Sequence, residues 1–171
     1  SEAECRDIVQ RLTHMTIGGG VTGVVIRSQW TGNVRWARNQ ISTSGEVHNT
    51  YVNIVRDLNG AENGTVLFNE TTDAALVAAA RRAERVAQLE PERSGWQLYE
   101  QETLEPVTAP ALFRDATVQL DADHRAHAAI ALTKAAAAAG MLSAGYIEVS
   151  AQSMAELDSE GRVRYFPWTW A

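Results

Sequence analysis

Cysteine is almost missing from this chain: Cys5 is the only one in 171 residues. A lone thiol closes no internal disulfide, which points to a reducing compartment and to a fold held without covalent staples. Long apolar runs are missing too. No stretch approaches the roughly 20 residues that span a bilayer, and the opening Ser-Glu-Ala-Glu-Cys has none of the regions of a secretion signal. A cytoplasmic location with no membrane partner is the expectation. Without a secretion signal, the glycosylation-type triplets Asn63-Gly64-Thr65 and Asn69-Glu70-Thr71 are read as coincidence. Positive charge is scarce, with 15 basic against 21 acidic residues and a net charge of -6, so a general nucleic-acid binder is excluded. The one dense basic run, Arg81-Arg82-Ala83-Glu84-Arg85, falls on the polar side of a helical pattern and reads as a solvated face. The sequence also contains no His-Glu-x-x-His, no Gly-x-Ser-x-Gly and no paired-cysteine motif.

What is present is apolar periodicity. At 45% hydrophobic the chain suits one globular domain, or one and part of another. Glu2 to Leu12 repeats Cys5, Ile8, Val9 and Leu12 on one helical face, with Ser1 as a cap. Gly18-Gly19-Gly20 follows a helix and precedes a strand, the reverse of a phosphate loop, and reads as a linker. Alternating residues then predict strands over 21–30, 34–41, 50–55 and 64–69, with turns at Thr31-Gly32-Asn33, Ser42-Thr43-Ser44-Gly45 and the Asn-Gly pairs at 59 and 63. Thr72 or Asp73 caps a helix with apolar positions Leu76, Ala79, Ala80, Ala83, Val86 and Ala87, which is expected to cover Val34 and Trp36. Beyond Pro91 the texture loosens. A short strand is predicted over 96–99 and a helix from Pro110 carrying Leu112, Phe113, Ala116 and Leu120. Asp121 then caps a helix running to Gly140, and strands follow over 146–157 and 163–170. The fold class expected is α+β: a helix, a four-stranded antiparallel meander and a covering helix, then a helical segment and a β-hairpin. The division expected is an N-terminal domain over 1–92 and the beginning of a second over 93–171.

Three groups of residues can carry chemistry. His124 and His127 lie one helical turn apart beside Asp121 and Asp123. A zinc ion needs three or four convergent ligands, and acids at a helix start stabilise its dipole without any metal, so the solvated terminus is preferred and no metal or catalytic residue is assigned. Arg35, Arg38 and Asn39 interrupt an apolar strand just before its turn. They can bind a peptide carboxylate or backbone, or simply pair with acids and cap the turn. Phe166, Trp168 and Trp170 fall on one side of the last strand, an aromatic row that invites a partner.

Arg35-Trp36-Ala37-Arg38-Asn39-Gln40-Ile41, Tyr51-Val52-Asn53-Ile54-Val55, Gly64-Thr65-Val66 and Ala87-Gln88-Leu89-Glu90-Pro91-Glu92 resemble the N-terminal part of the TldD/PmbA family, the gyrase-modulator and microcin-processing zinc metallopeptidases. Ala144-Gly145-Tyr146 and Asp158-Ser159-Glu160-Gly161 resemble the start of that family's second domain, with Asp158 where the family usually carries asparagine. The resemblance implies a longer parent, a homo- or hetero-dimer of family subunits around a cavity that accepts a peptide or unfolded protein, and zinc on a His-Glu-x-x-x-His motif. That motif is absent from these residues, so no cofactor is expected in this chain and whether it acts as an enzyme stays open. The function implied is the front part of such a peptidase, or of its non-catalytic companion, shaping the cavity and the subunit interface without direct nucleic-acid contact. Two other readings stand beside it: a free-standing binding module that pairs through the aromatic strand, and a small enzyme built on His124 and His127.

Overall fold

The computed structural model describes residues 1–14, 23–58, 62–89, 112–157 and 162–171. The elements are α1 (Glu2–His14), β1 (Gly23–Ala37), β2 (Gln40–Leu58), β3 (Glu62–Phe68), α2 (Asp73–Leu89), α3 (Asp115–Val118), α4 (Ala122–Ala138), β4 (Gly145–Leu157) and β5 (Val163–Trp170). The fold class is α+β, and the five strands form one antiparallel sheet in the order β3-β2-β1-β4-β5.

The strands are longer and fewer than the turn residues suggested. Thr31-Gly32-Asn33 and Ser42-Thr43-Ser44-Gly45 both lie inside strands. The chain reverses instead at Arg38 and Asn39, whose φ angles of 51° and 63° are those of a primed two-residue hairpin turn. Ser42 Oγ donates to the Arg35 carbonyl and Ser44 Oγ to that of Asn33, which fixes the register beyond the turn. Among the described residues, from Leu112 on, the helix predicted from Pro110 is represented by the four residues of α3. The glycine linker at 18–20, the turn at 59–60 and the strand over 96–99 lie outside the described residues.

The chain divides into two compact units that interleave in sequence: residues 1–27, 50–109 and 154–166, and residues 28–49, 110–153 and 167–171. In the first unit, Ser1 caps α1, its Oγ accepting from the Glu4 N–H at 3.3 Å, and α1 presents Cys5, Ile8, Val9 and Leu12 inward. They meet Val24 and Ile26, Val52 and Ile54, Val66 and Ala155 from the strands, and Leu76, Ala79 and Ala83 from α2. Each fully buried Leu, Ile or Val contributes about 1.5–3 kcal/mol by leaving water. Thr72 is the α2 cap, accepting from the Ala75 N–H at 3.3 Å. Arg11 joins the two helices, its Nη1 donating to the Thr71 carbonyl at 3.0 Å and to Asp73 Oδ1 at 2.8 Å.

The second unit has a smaller core of Val34, Trp36 and Ala129, with Ile147 packed against it. Trp36 was expected beneath the helix over 74–89. It lies instead with Ala129 of α4, because β1 continues past Thr31 and carries its second half into this unit. Asp121 caps α4 by accepting from the His124 N–H at 3.0 Å. At the other end Gly140, at φ 68°, closes a Schellman motif: Met141 N–H bonds Ala136 O at 2.9 Å and Gly140 N–H bonds Ala137 O at 3.0 Å. Only Arg125, Ala129 and Thr133 of α4 are buried, a single stripe at four-residue spacing, and Ile130 and Leu132 stay exposed.

Candidate functional site

The sequence-predicted residues Arg35, Arg38 and Asn39 all sit at the tip of the β1–β2 hairpin. Asn39 is held there by three hydrogen bonds. Its backbone N–H donates to the Ser143 carbonyl at 3.2 Å, its Oδ1 accepts from the Ser143 N–H at 2.7 Å, and its Nδ2 donates to the Met141 carbonyl at 2.9 Å. Asparagine suits this place twice, since it tolerates the left-handed backbone and offers both a donor and an acceptor. The result is a bracket that ties the segment after α4 to the hairpin. Beside it, Trp36 Nε1 donates to Ser143 Oγ at 2.6 Å.

The two arginines are left facing solvent. Arg35 lies over the Tyr146 ring at 5.4 Å, a cation–π contact, and Tyr146 in turn donates its hydroxyl to Glu148. That hydrogen bond, with desolvation second, holds the Tyr146 phenol above its usual range. Arg38 is exposed and carries no hydrogen bond or ion pair among the described residues. The tip therefore presents two guanidinium groups, each with donors to spare for a carboxylate or a peptide carbonyl.

A buried group that sequence reasoning missed lies further along the same hairpin. Arg125 of α4 is 2% exposed. Its Nη2 donates to Glu46 Oε1 at 2.7 Å, its Nη1 to the Leu120 carbonyl at 2.7 Å, and its guanidinium faces the Trp30 ring at 5.8 Å. It rests directly on Gly32, where an added Cβ would meet Nη1 at 2.4 Å. Its donation, helped by the Trp30 indole N–H, holds the Glu46 carboxyl below the usual range. The available signal was Gly32 itself, since a glycine inside a strand marks a close approach.

Of the aromatic row, Phe166 is 39% and Trp170 44% exposed, with Trp168 half-buried between them. The other face of β5 turns Val163 and Tyr165 to the core of the first unit. Thr169 is anchored at the end of the strand. Its N–H bonds the Leu112 carbonyl at 3.1 Å, and its Oγ1 accepts from the Arg114 N–H at 3.0 Å.

The helix-start histidines do not converge on one point. His124 Nδ1 lies 2.8 Å from Asp121 Oδ1, while His127 Nδ1 lies 2.8 Å from the Asp123 carbonyl. Among the described residues no three His, Cys, Asp or Glu side chains gather as metal ligands. No described helix is long and apolar enough to cross a membrane.

No family model and no curated protein match this sequence. Solved structures do. TldE from Thermococcus kodakarensis superposes over 98% of this chain with a TM-score of 0.66 at 14% identity. A protein of Bacteroides thetaiotaomicron assigned as a modulator of DNA gyrase superposes over 98% with a TM-score of 0.74 at 12% identity. The chain has their fold. A third structure, a Thermotoga maritima protein assigned the same way, gives 96% coverage, a TM-score of 0.67 and 15% identity. The chain spans 36%, 39% and 37% of those three solved chains respectively, so the likeness is to part of each.

Proposed function

We propose that this chain is the front part of a TldD/PmbA-type metallopeptidase, or of its non-catalytic companion subunit, and that it forms a wall of the peptide-accepting cavity and part of the subunit interface. One observation carries the reading. Nearly the whole chain superposes on structures more than twice its length, as expected of one folded portion of a larger architecture. In this reading the metal and its ligands belong to other parts of the parent, and the contribution of these residues is to recognise and hold peptide. Arg35 and Arg38 suit that work, because both guanidinium groups are exposed at a hairpin tip that the Asn39 bracket keeps rigid.

The test is to incubate the pure chain with a labelled unfolded peptide, with and without zinc. No cleavage is expected in either case, and Arg35→Ala with Arg38→Ala is expected to weaken peptide binding about tenfold. Chelator-sensitive cleavage by the chain alone would overturn the reading in favour of a self-contained enzyme.

The exposure of Phe166 and Trp170 favours a second reading, a binding module that pairs through the aromatic side of β5. Its signature is association that is lost in Trp168→Asp with Trp170→Asp while the circular dichroism spectrum is kept.

A further inference from the structure

The sheet has several stretches of outer edge, and they are not equally protected. Natural edges are blunted by shortness, proline, lysine or a covering segment. β3 is only 7 residues long. β5 carries Pro167, which has no N–H, and its Thr169 N–H is taken by Leu112. The longest remaining edge is the first half of β2. β3 pairs with β2 only from Val52 to Leu58, so Gln40 to Asn49 meets no strand on that side among the described residues. This stretch, Gln-Ile-Ser-Thr-Ser-Gly-Glu-Val-His-Asn, contains no proline, lysine or arginine, and every one of its side chains is exposed. Of its two ionisable groups, Glu46 is drawn to Arg125, and His48 Nε2 lies 3.1 Å from Ser28 Oγ.

The turn fixes which backbone groups are left over. A two-residue hairpin makes its flanking residues, Ala37 and Gln40, a mutually hydrogen-bonded pair. Counting from there, Ser42 and Ser44 aim their N–H and C=O groups at β1, while Ile41, Thr43 and Gly45 aim theirs outward. Only another extended backbone can satisfy such a row in series.

We propose that this edge pairs antiparallel with the same edge of a second copy of the chain, about a two-fold axis at Gly45. The proposal rests on the subunit contact of the preceding reading and gives it a location. Gly45 lies near the middle of the open edge, and this register pairs Ile41 through Asn49, nearly the whole of that stretch. It sets Thr43 opposite Val47, Ile41 opposite Asn49, Ser44 opposite Glu46 and Ser42 opposite His48. Like charges never face each other, and each half of the seam gains a β-branched pair. The exposed apolar side chains Ile41 and Val47 are covered by the same pairing. The symmetry is isologous and closes at a dimer.

Gly45 also supplies the test. An added Cβ there meets nothing within 4 Å and the backbone is not left-handed, so a side chain is tolerated in the single chain. In the proposed dimer it would face its own copy. Sedimentation of the wild-type chain should show a dimer. Gly45→Lys and Gly45→Glu should each weaken association about tenfold or more while keeping the wild-type circular dichroism spectrum, and an equimolar mixture of the two should restore association. A wild-type chain that stays monomeric at the highest attainable concentration would overturn the proposal, leaving the edge to another occupant such as an extended peptide. So would a dimer indifferent to both charges, which would move the contact to another surface. These outcomes read association and not cleavage, so the seam can fail while the family reading stands.

Discussion

At Gly64 an alanine Cβ would sit 1.8 Å from the Ala83 carbonyl oxygen and 2.6 Å from the Ala87 nitrogen, both backbone atoms of α2. Helix and strand therefore touch main chain to main chain, and neither can yield by a side-chain rotation. Gly64→Ala is expected to cost about 3 kcal/mol or more, at the upper end of overpacking. Gly45→Ala, in open space, should be neutral or stabilise by up to about 1 kcal/mol. Urea melts of the two variants make the comparison. Trp36→Ala should cost about 3–5 kcal/mol, since it empties the middle of the smaller core and orphans the Ser143 hydroxyl. A loss under about 1 kcal/mol would show that the indole is not a core anchor. At this scale the sequence was read well where apolar spacing spoke. Cys5, Leu12, Leu76 and Ala83 all lie in the core assigned to them. It was read poorly where a residue's role depends on distant chain. Nothing local to Arg125 announces Glu46, and nothing local to Asn39 announces Ser143.

The pinning of α4 against the hairpin has a pH dependence whose sign is fixed. Arg125, then Trp30, lower the Glu46 pKa in the folded state. That contribution is present in full above the ordinary carboxylate range and is lost as pH falls through the lowered value. Asp121, held down first by the His124 N–H it caps, has the same sign. Thermal melts should therefore lose stability on acidification, and Glu46→Gln should flatten part of the slope. An unchanged slope would mean that the Arg125 pair adds nothing that titrates. Helix ends were legible because capping is a local chemistry: Ser1, Thr72, Asp121 and Gly140 all serve where the spacing placed them. Strand ends were not. Gly32 and Gly45 looked like turns because glycine so often makes them. In this chain one makes room for a guanidinium, the other lies on an open edge, and Arg38-Asn39 makes the reversal without glycine.

Taken whole, the α+β class and the meander-then-hairpin plan were visible in alternation and helical spacing, which report local geometry. That the meander and the hairpin join in one sheet was not, because the join is a pairing of β1 with β4 between distant parts of the chain. This join also sets how the protein must assemble. β1, β2 and β3 are successive in sequence and close quickly on one another, as do β4 and β5. The seam between β1 and β4 must bring together strands that end at Ala37 and begin at Gly145, so it closes against the largest loop entropy in the sheet. Until it closes, β1 is itself an unpaired edge, 15 residues long. Refolding should thus show a slow final phase that reports on β4, and its yield should fall as protein concentration rises, because a neighbouring chain competes for the same open strand.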